Sequence, residues 1–168
     1  MASALKNLSE YPSFKIDISQ KKIGIVVSNY HAEITEALFE GAYQTLLKEG
    51  AKKEHILKKY APGAYELTLC AQKLAKLPLI DAVICLGCVI KGETQHFEFI
   101  CHAVAQGLTR VSLDTEKPVI FGVITPNNYQ EALERAGGKH GNKGVEAAAA
   151  AIQMLAFCDD FSPRIIQH

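Results

Sequence analysis

The residues best placed to do chemistry lie in one short stretch, Gly92-Glu93-Thr94-Gln95-His96. It follows an apolar run, Ala82 to Ile90, and precedes a segment of helical periodicity. Gly92 suits a sharp backbone turn, and Thr94 suits a helix N-cap. The free N–H groups of such a helix start favour an anion, of which phosphate is the commonest biological example. His96 would sit one turn in, and histidine is the residue type best suited to carrying protons at physiological pH. Glu93 fits this scheme only if its side chain points away from the anion. Cys85 and Cys88 have C-x-x-C spacing, but residues three apart on a strand face opposite ways. Buried thiols are therefore expected rather than a redox or metal pair.

Each of the other candidates has an ordinary structural reading beside the chemical one. His96 alone could be a partly exposed helix histidine. Arg135 near Glu131 and Glu134 could be a surface ion-pair residue of small energetic value. Phe121 within a strand would be core by default. Tyr30 and Tyr65 could close the ends of the core. Lys143 and Glu146, three apart, commonly form a solvated helix pair. Asn128, His31, His102 and His140 keep structural readings.

The elements that must position these residues follow from periodicity. Lys22 to Ser28, His55 to Tyr60, Asp81 to Ile90 and Pro118 to Thr125 read as strands. Helices are expected from Ala32 to a stop at Gly50, and from about Glu66 to Leu77 before Pro78. Others run from Thr94 to Leu113, from Asn127 or Asn128 to Gly137-Gly138, and from Asn142 to Phe157. Strands alternating with helices predict a three-layer α/β/α sandwich with a small, mainly parallel four-stranded sheet of flavodoxin-like type. Ligands in such sheets bind beyond the carboxyl ends of the strands. The turns at 28–30, 62–66, 92–94 and 125–127 all fall there. Residues 1–20 read as a loose arm whose 14–18 piece could form an edge strand outside its own sheet. Residues 21–158 form the single domain, and 159–168 a tail. The Ala147 to Ala151 run permits close helix contact.

The 168 residues are 48% hydrophobic and 21% charged, ordinary values for a globular chain. Eighteen basic residues balance eighteen acidic ones, which disfavours a nucleic-acid or anionic-membrane partner. The N-terminus shows no long apolar signal, and five scattered cysteines suggest the reducing cytoplasm.

Five segments taken in order resemble the 6,7-dimethyl-8-ribityllumazine synthase family. They are Gly24-Ile25-Val26-Val27-Ser28, Pro62-Gly63-Ala64-Tyr65-Glu66, Gly92-Glu93-Thr94-Gln95-His96-Phe97, Phe121-Gly122-Val123-Ile124-Thr125 and the run from Glu134 to Gly144. The resemblance spans about Lys22 to Phe157. It implies a transferase of riboflavin biosynthesis that condenses 5-amino-6-(ribitylamino)uracil with 3,4-dihydroxy-2-butanone 4-phosphate, without metal or organic cofactor. By it, Gly92, Glu93 and Thr94 form the phosphate loop, Arg135 binds phosphate and His96 shuttles protons. Tyr30 stacks on the pyrimidine, Ala64, Tyr65 and Glu66 bind the ribityl chain, and Cys88, Val89 and Ile90 contact substrate. Arg135, Phe121 and Lys143 are expected from an adjacent subunit.

Tyr30, Ala64 and Tyr65 depart from the family's frequent Phe or Trp, Ser, and Trp. A homopentamer is implied. The uninterrupted turn Gly137 to Asn142 resembles that of members forming a hollow shell of twelve pentamers, and association with riboflavin synthase is a further implication. The alternatives are a flavin- or phosphate-ligand binding module without turnover, and a structural shell protein.

Overall fold

The two most apolar runs, Ile23–Ser28 and Ala82–Cys88, form the inner strands β1 and β3, and every residue of both is buried. Burial on both faces is what parallel strands under two helical layers require. The computed structural model describes residue 7 and residues 9–161. Outside these two strands lie β2 (Ile56–Ala61) and β4 (Val119–Ile124), giving the order β2-β1-β3-β4 with every pair parallel. The helices are α1 (Ala32–Lys48), α2 (Leu67–Ala75), α3 (His96–Thr115), α4 (Tyr129–Arg135) and α5 (Lys143–Asp160). A small antiparallel hairpin, β5 (Ala136–Gly138) with β6 (Gly141–Asn142), joins α4 to α5.

Alternation along the strands builds two cores. Ile23, Ile25 and Val27 of β1 and Ile84, Leu86 and Cys88 of β3 pack with α1 and α5. Val26, Val83 and Cys85 face the other way, onto α2 and α3. Cys85 and Cys88 thus lie in different cores, as their spacing predicts, and both are free thiols. The α/β/α sandwich is the expected one.

The tightest helix contact is between α1 and α5. A Cβ placed on Gly144 would lie 1.8 Å from the Leu38 carbonyl oxygen, so only glycine fits there. The alanine run follows directly, with Ala147, Ala148, Ala149 and Ala151 buried. Asn142 caps α5 by accepting from the Gly144 N–H at 2.8 Å and donates to the Ala37 carbonyl at 2.8 Å.

Several local expectations need correction. Gly92 does not adopt a left-handed conformation, and a Cβ on it would meet open space. The turn after β3 therefore does not depend on glycine's freedom. The residue flanking α3 is Gln95, not Thr94; the Thr94 hydroxyl accepts from the His96 N–H at a long 3.4 Å. Helix α4 stops at Arg135, before Gly137-Gly138, because Ala136–Gly138 pairs into the hairpin. The arm is not loose along its whole described length. Ile18 is fully buried, Phe14 and Ile16 pack on the α1/α5 core, and Ser9 hydrogen-bonds Asn142. Residues 14–18 form no strand within the chain. The start of the arm, residues 1–6 and 8, and the tail from 162 lie outside the described residues.

Candidate active site

Three strand ends meet at one cavity of about 580 Å³. After β1, the chain contributes Tyr30 and His31; after β2, Gly63, Ala64, Tyr65 and Glu66; at the end of β3, Cys88, Val89 and Ile90. His96 and Ile100, four apart on α3 and therefore on one helix face, complete the lining. The aromatic side chains of Tyr30 and Tyr65 stand out from the surface, 70% and 58% exposed. This gives an apolar, partly aromatic slot with one carboxylate and two imidazoles. Such a slot suits a small, flat molecule with a few polar groups.

The backbone beneath Tyr30 is held by specific bonds. His31 is a non-glycine residue in the left-handed region, with φ 56° and ψ 51°, a conformation costing roughly 1–2 kcal/mol. Its carbonyl accepts from the N–H groups of Ile34 and Thr35, starting α1. The buried Thr35 hydroxyl donates to the Ser28 carbonyl at 2.8 Å, and the Asn29 N–H donates to the Ala61 carbonyl at 2.9 Å. These bonds tie the turn after β1 to the sheet end. The ordinary structural reading of His31 accounts for the helix start but not for its place in the cavity. Its adjacency to Tyr30 was the available signal.

A second cavity, of about 300 Å³, lies along the end of β4 and is lined by residues that include Thr125, Pro126, Arg135 and Lys143. The two cavities share a wall, because the Val89 N–H donates to the Ile124 carbonyl at 2.9 Å and the Lys91 N–H to the Pro126 carbonyl at 3.0 Å. Here Arg135 Nη2 contacts Glu146 Oε1 at 2.6 Å, while Lys143 Nζ contacts Glu146 Oε2 at 3.2 Å. Arg135 Nη1 also donates to the His140 carbonyl at 2.8 Å. Arg135 is therefore not paired with Glu131 or Glu134, its sequence neighbours on α4. Glu146 bridges both cations and holds the guanidinium in one plane; with Glu131 on the same lining, two carboxylates stand beside two cations. Sequence reasoning left Glu146 as a solvated partner of Lys143; the hairpin that folds α4 back onto α5 gives it the larger role.

Within one chain the remaining candidates stand apart. Gly92, Glu93 and Thr94 are exposed and line neither cavity, although the first turn of α3 behind them carries backbone N–H groups without intrahelical acceptors. Phe121 lies on the outer strand β4 and is 37% exposed, outside both cavities and outside the core assigned to it by default. The thiol at the cavity floor is chemically quiet. Burial pushes Cys88 up to about 12, so it stays protonated at neutral pH and is not a nucleophile. Burial also raises Cys85, with the neighbouring Cys70 adding to it.

A parallel α/β/α sandwich with an apolar, partly aromatic cavity across its strand ends, lined by one carboxylate and two imidazoles, is of the class of α/β proteins that bind small molecules at the strand ends. Comparison with known proteins narrows the class. Residues 20–159 match the family model described as 6,7-dimethyl-8-ribityllumazine synthase. The chain is 56% identical to the 6,7-dimethyl-8-ribityllumazine synthase of Cytophaga hutchinsonii over 156 residues, covering 93% of this chain and 98% of that protein. Identity to the protein of the same name from Parabacteroides distasonis is 49% over 158 residues, 94% and 99% of the two chains. For that of Porphyromonas gingivalis it is 46% over 155 residues, 92% and 96%. The chain belongs to the 6,7-dimethyl-8-ribityllumazine synthase family.

Proposed function

We propose that this chain condenses 5-amino-6-(ribitylamino)uracil with 3,4-dihydroxy-2-butanone 4-phosphate to 6,7-dimethyl-8-ribityllumazine, releasing phosphate and water, the penultimate step of riboflavin biosynthesis. The observation that carries this reading, beside family membership, is the single cavity in which Tyr30, Glu66 and His96 converge. Tyr30 stacks on the pyrimidine. Glu66 accepts hydrogen bonds from ribityl hydroxyls, with Ala64 and Tyr65 completing that wall, and Cys88, Val89 and Ile90 lie against the ring.

The pyrimidine amine attacks the ketone carbonyl to form an imine with loss of water. Loss of a proton from the neighbouring carbon then expels phosphate, and ring closure with loss of a second water gives the lumazine. Each stage moves protons, which is the role of His96. Charge gathers on the departing phosphate. The helix start behind Gly92, Glu93 and Thr94 receives it, with Arg135 as bidentate partner. No protein nucleophile is needed, in keeping with the protonated Cys88.

Arg135, Lys143 and Phe121 act on the site of a neighbouring copy. Within one chain none of the three lines the cavity that holds Tyr30, Glu66 and His96, which supports this assignment. The assembly is a homopentamer, and the short hairpin from Ala136 to Asn142 suits a shell of twelve pentamers, able to associate with riboflavin synthase. Among the described residues, no helix is long and apolar enough to cross a membrane. The free thiols fit a cytoplasmic setting.

The test is a two-substrate fluorescence assay on protein sized by light scattering. Lumazine formation with phosphate release is expected from the assembled particle. Absence of product from folded, assembled protein refutes the activity, and a particle no larger than a pentamer refutes the shell.

A further inference from the structure

Helices α1 and α4 leave the sheet from β1 and β4, which are not neighbours, since β3 lies between them. Their first turns are nevertheless joined. The Tyr129 hydroxyl, on the first residue of α4, donates to Glu33 Oε2 in the first turn of α1, a contact between residues 96 positions apart. Strand β3 lies between the two strands from which these helices leave, and Cys88 at its end lines the cavity. Hydrogen bonding to Glu33 holds the Tyr129 phenol above its ordinary value, as do burial and the nearby Cys88, which agrees with that placement.

Glu33 follows His31 by two residues, and His31 is the strained pivot that carries Tyr30. The pivot is pinned from below by the Thr35 bond to the Ser28 carbonyl. Sideways, Tyr129 reaches the first turn from the α4 side, while on the other side Lys58 and Tyr60 of β2 bond Glu36, the fifth residue of α1, at 2.6 and 2.8 Å. Tyr129 and Glu33 are both exposed, so their bond adds little to stability. Its effect is geometric.

We propose that Tyr129 is a positioning residue: through Glu33 it holds the first turn of α1, and so fixes Tyr30 for stacking on the pyrimidine. This rests on the reading of Tyr30 as the pyrimidine's partner. Only one of the two substrates should sense the loss.

The experiment uses the full-length assembled protein, varying each substrate in turn with the other saturating. Tyr129→Phe and Glu33→Ala should each raise KM for the ribitylaminouracil about fivefold, the equivalent of one hydrogen bond near 1 kcal/mol. KM for the butanone phosphate and kcat should stay within about twofold, which is small on the same scale. Glu33→Gln keeps an acceptor oxygen and should behave as wild type. Unchanged KM values in Tyr129→Phe, equal rises for both substrates, or Glu33→Gln as impaired as Glu33→Ala would each overturn the proposal. A wild type that makes no lumazine overturns instead the reading on which it rests.

Discussion

Gly144→Ala places a methyl group where α5 crosses α1. The ideal Cβ lies 1.8 Å from the Leu38 carbonyl oxygen, 2.7 Å from its carbonyl carbon and 2.9 Å from Asn142 Oδ1. Real Cβ atoms essentially never come closer than 3.0 Å, so the helices must separate by about 1 Å against backbone that cannot swing aside. Overpacking of this kind costs about 1–3 kcal/mol. Separation also pulls the Gly144 N–H from the Asn142 cap, a loss of about 1 kcal/mol. The sum, about 2–4 kcal/mol, should lower the melting temperature by roughly 5–15 °C in a chain of this size. Circular dichroism melts at one fixed chain concentration measure it, because assembly makes the midpoint concentration-dependent. Gly92→Ala is the matched control, since its Cβ meets nothing and its φ is ordinary; it should stay within about 0.5 kcal/mol. A Gly144→Ala melting point within about 2 °C of wild type would refute the close-approach argument. The variant should also weaken use of the phosphorylated substrate, because Lys143 and Glu146 begin the same helix.

His96→Asn should slow turnover by roughly ten- to a hundredfold, the lower part of the range for acid–base catalysis, with an unchanged circular dichroism spectrum. Full activity in that variant removes His96 from the mechanism. Arg135→Gln should raise KM for the butanone phosphate roughly tenfold while leaving the pyrimidine's KM nearly unchanged, as initial rates with each substrate varied will show. The Cys88 thiol yields a pH prediction. Its folded value of about 12 lies above the ordinary 9.0, so the folded state keeps a proton that the unfolded chain loses. Its contribution is fully present below pH 9 and is lost as pH rises towards 12, at up to about 1.4 kcal/mol per pH unit. Denaturant titrations at several alkaline pH values should show this slope, and Cys88→Ala should make it shallower; equal slopes would contradict the burial argument.

The architecture was readable because its signals are local. Short apolar runs rich in Val and Ile, such as Ile23–Val27 and Ala82–Leu86, fit doubly covered strands, and parity alone separates Cys85 from Cys88. Binding at the strand ends then follows from topology, which is why Tyr30, Glu66 and His96 were expected at one rim and share one cavity. What escaped depends on contacts far apart in sequence or on backbone geometry that residue type does not encode. Gly92 suggested a glycine-dependent turn, yet its backbone is ordinary. Arg135 had two acidic neighbours on its own helix, and the carboxylate it meets is eleven residues away, beyond a hairpin whose Ala-Gly-Gly strand carries no β-propensity. His31 had only a structural reading, in the turn after the first strand, yet it has a left-handed backbone and lines the cavity.

The bond between Ser9 and Asn142 joins the arm to a residue that is synthesised long after it. These residues are 133 positions apart, so the arm cannot dock on its own chain until almost the last helix has been made. At synthesis rates of about 5–20 residues per second, that interval lasts roughly 7–27 s. During it α1, β2 and α2 emerge in turn, while Phe14 and Ile16 have no α5 to pack against. Chains born side by side on one messenger RNA therefore present undocked arms to one another before either is complete.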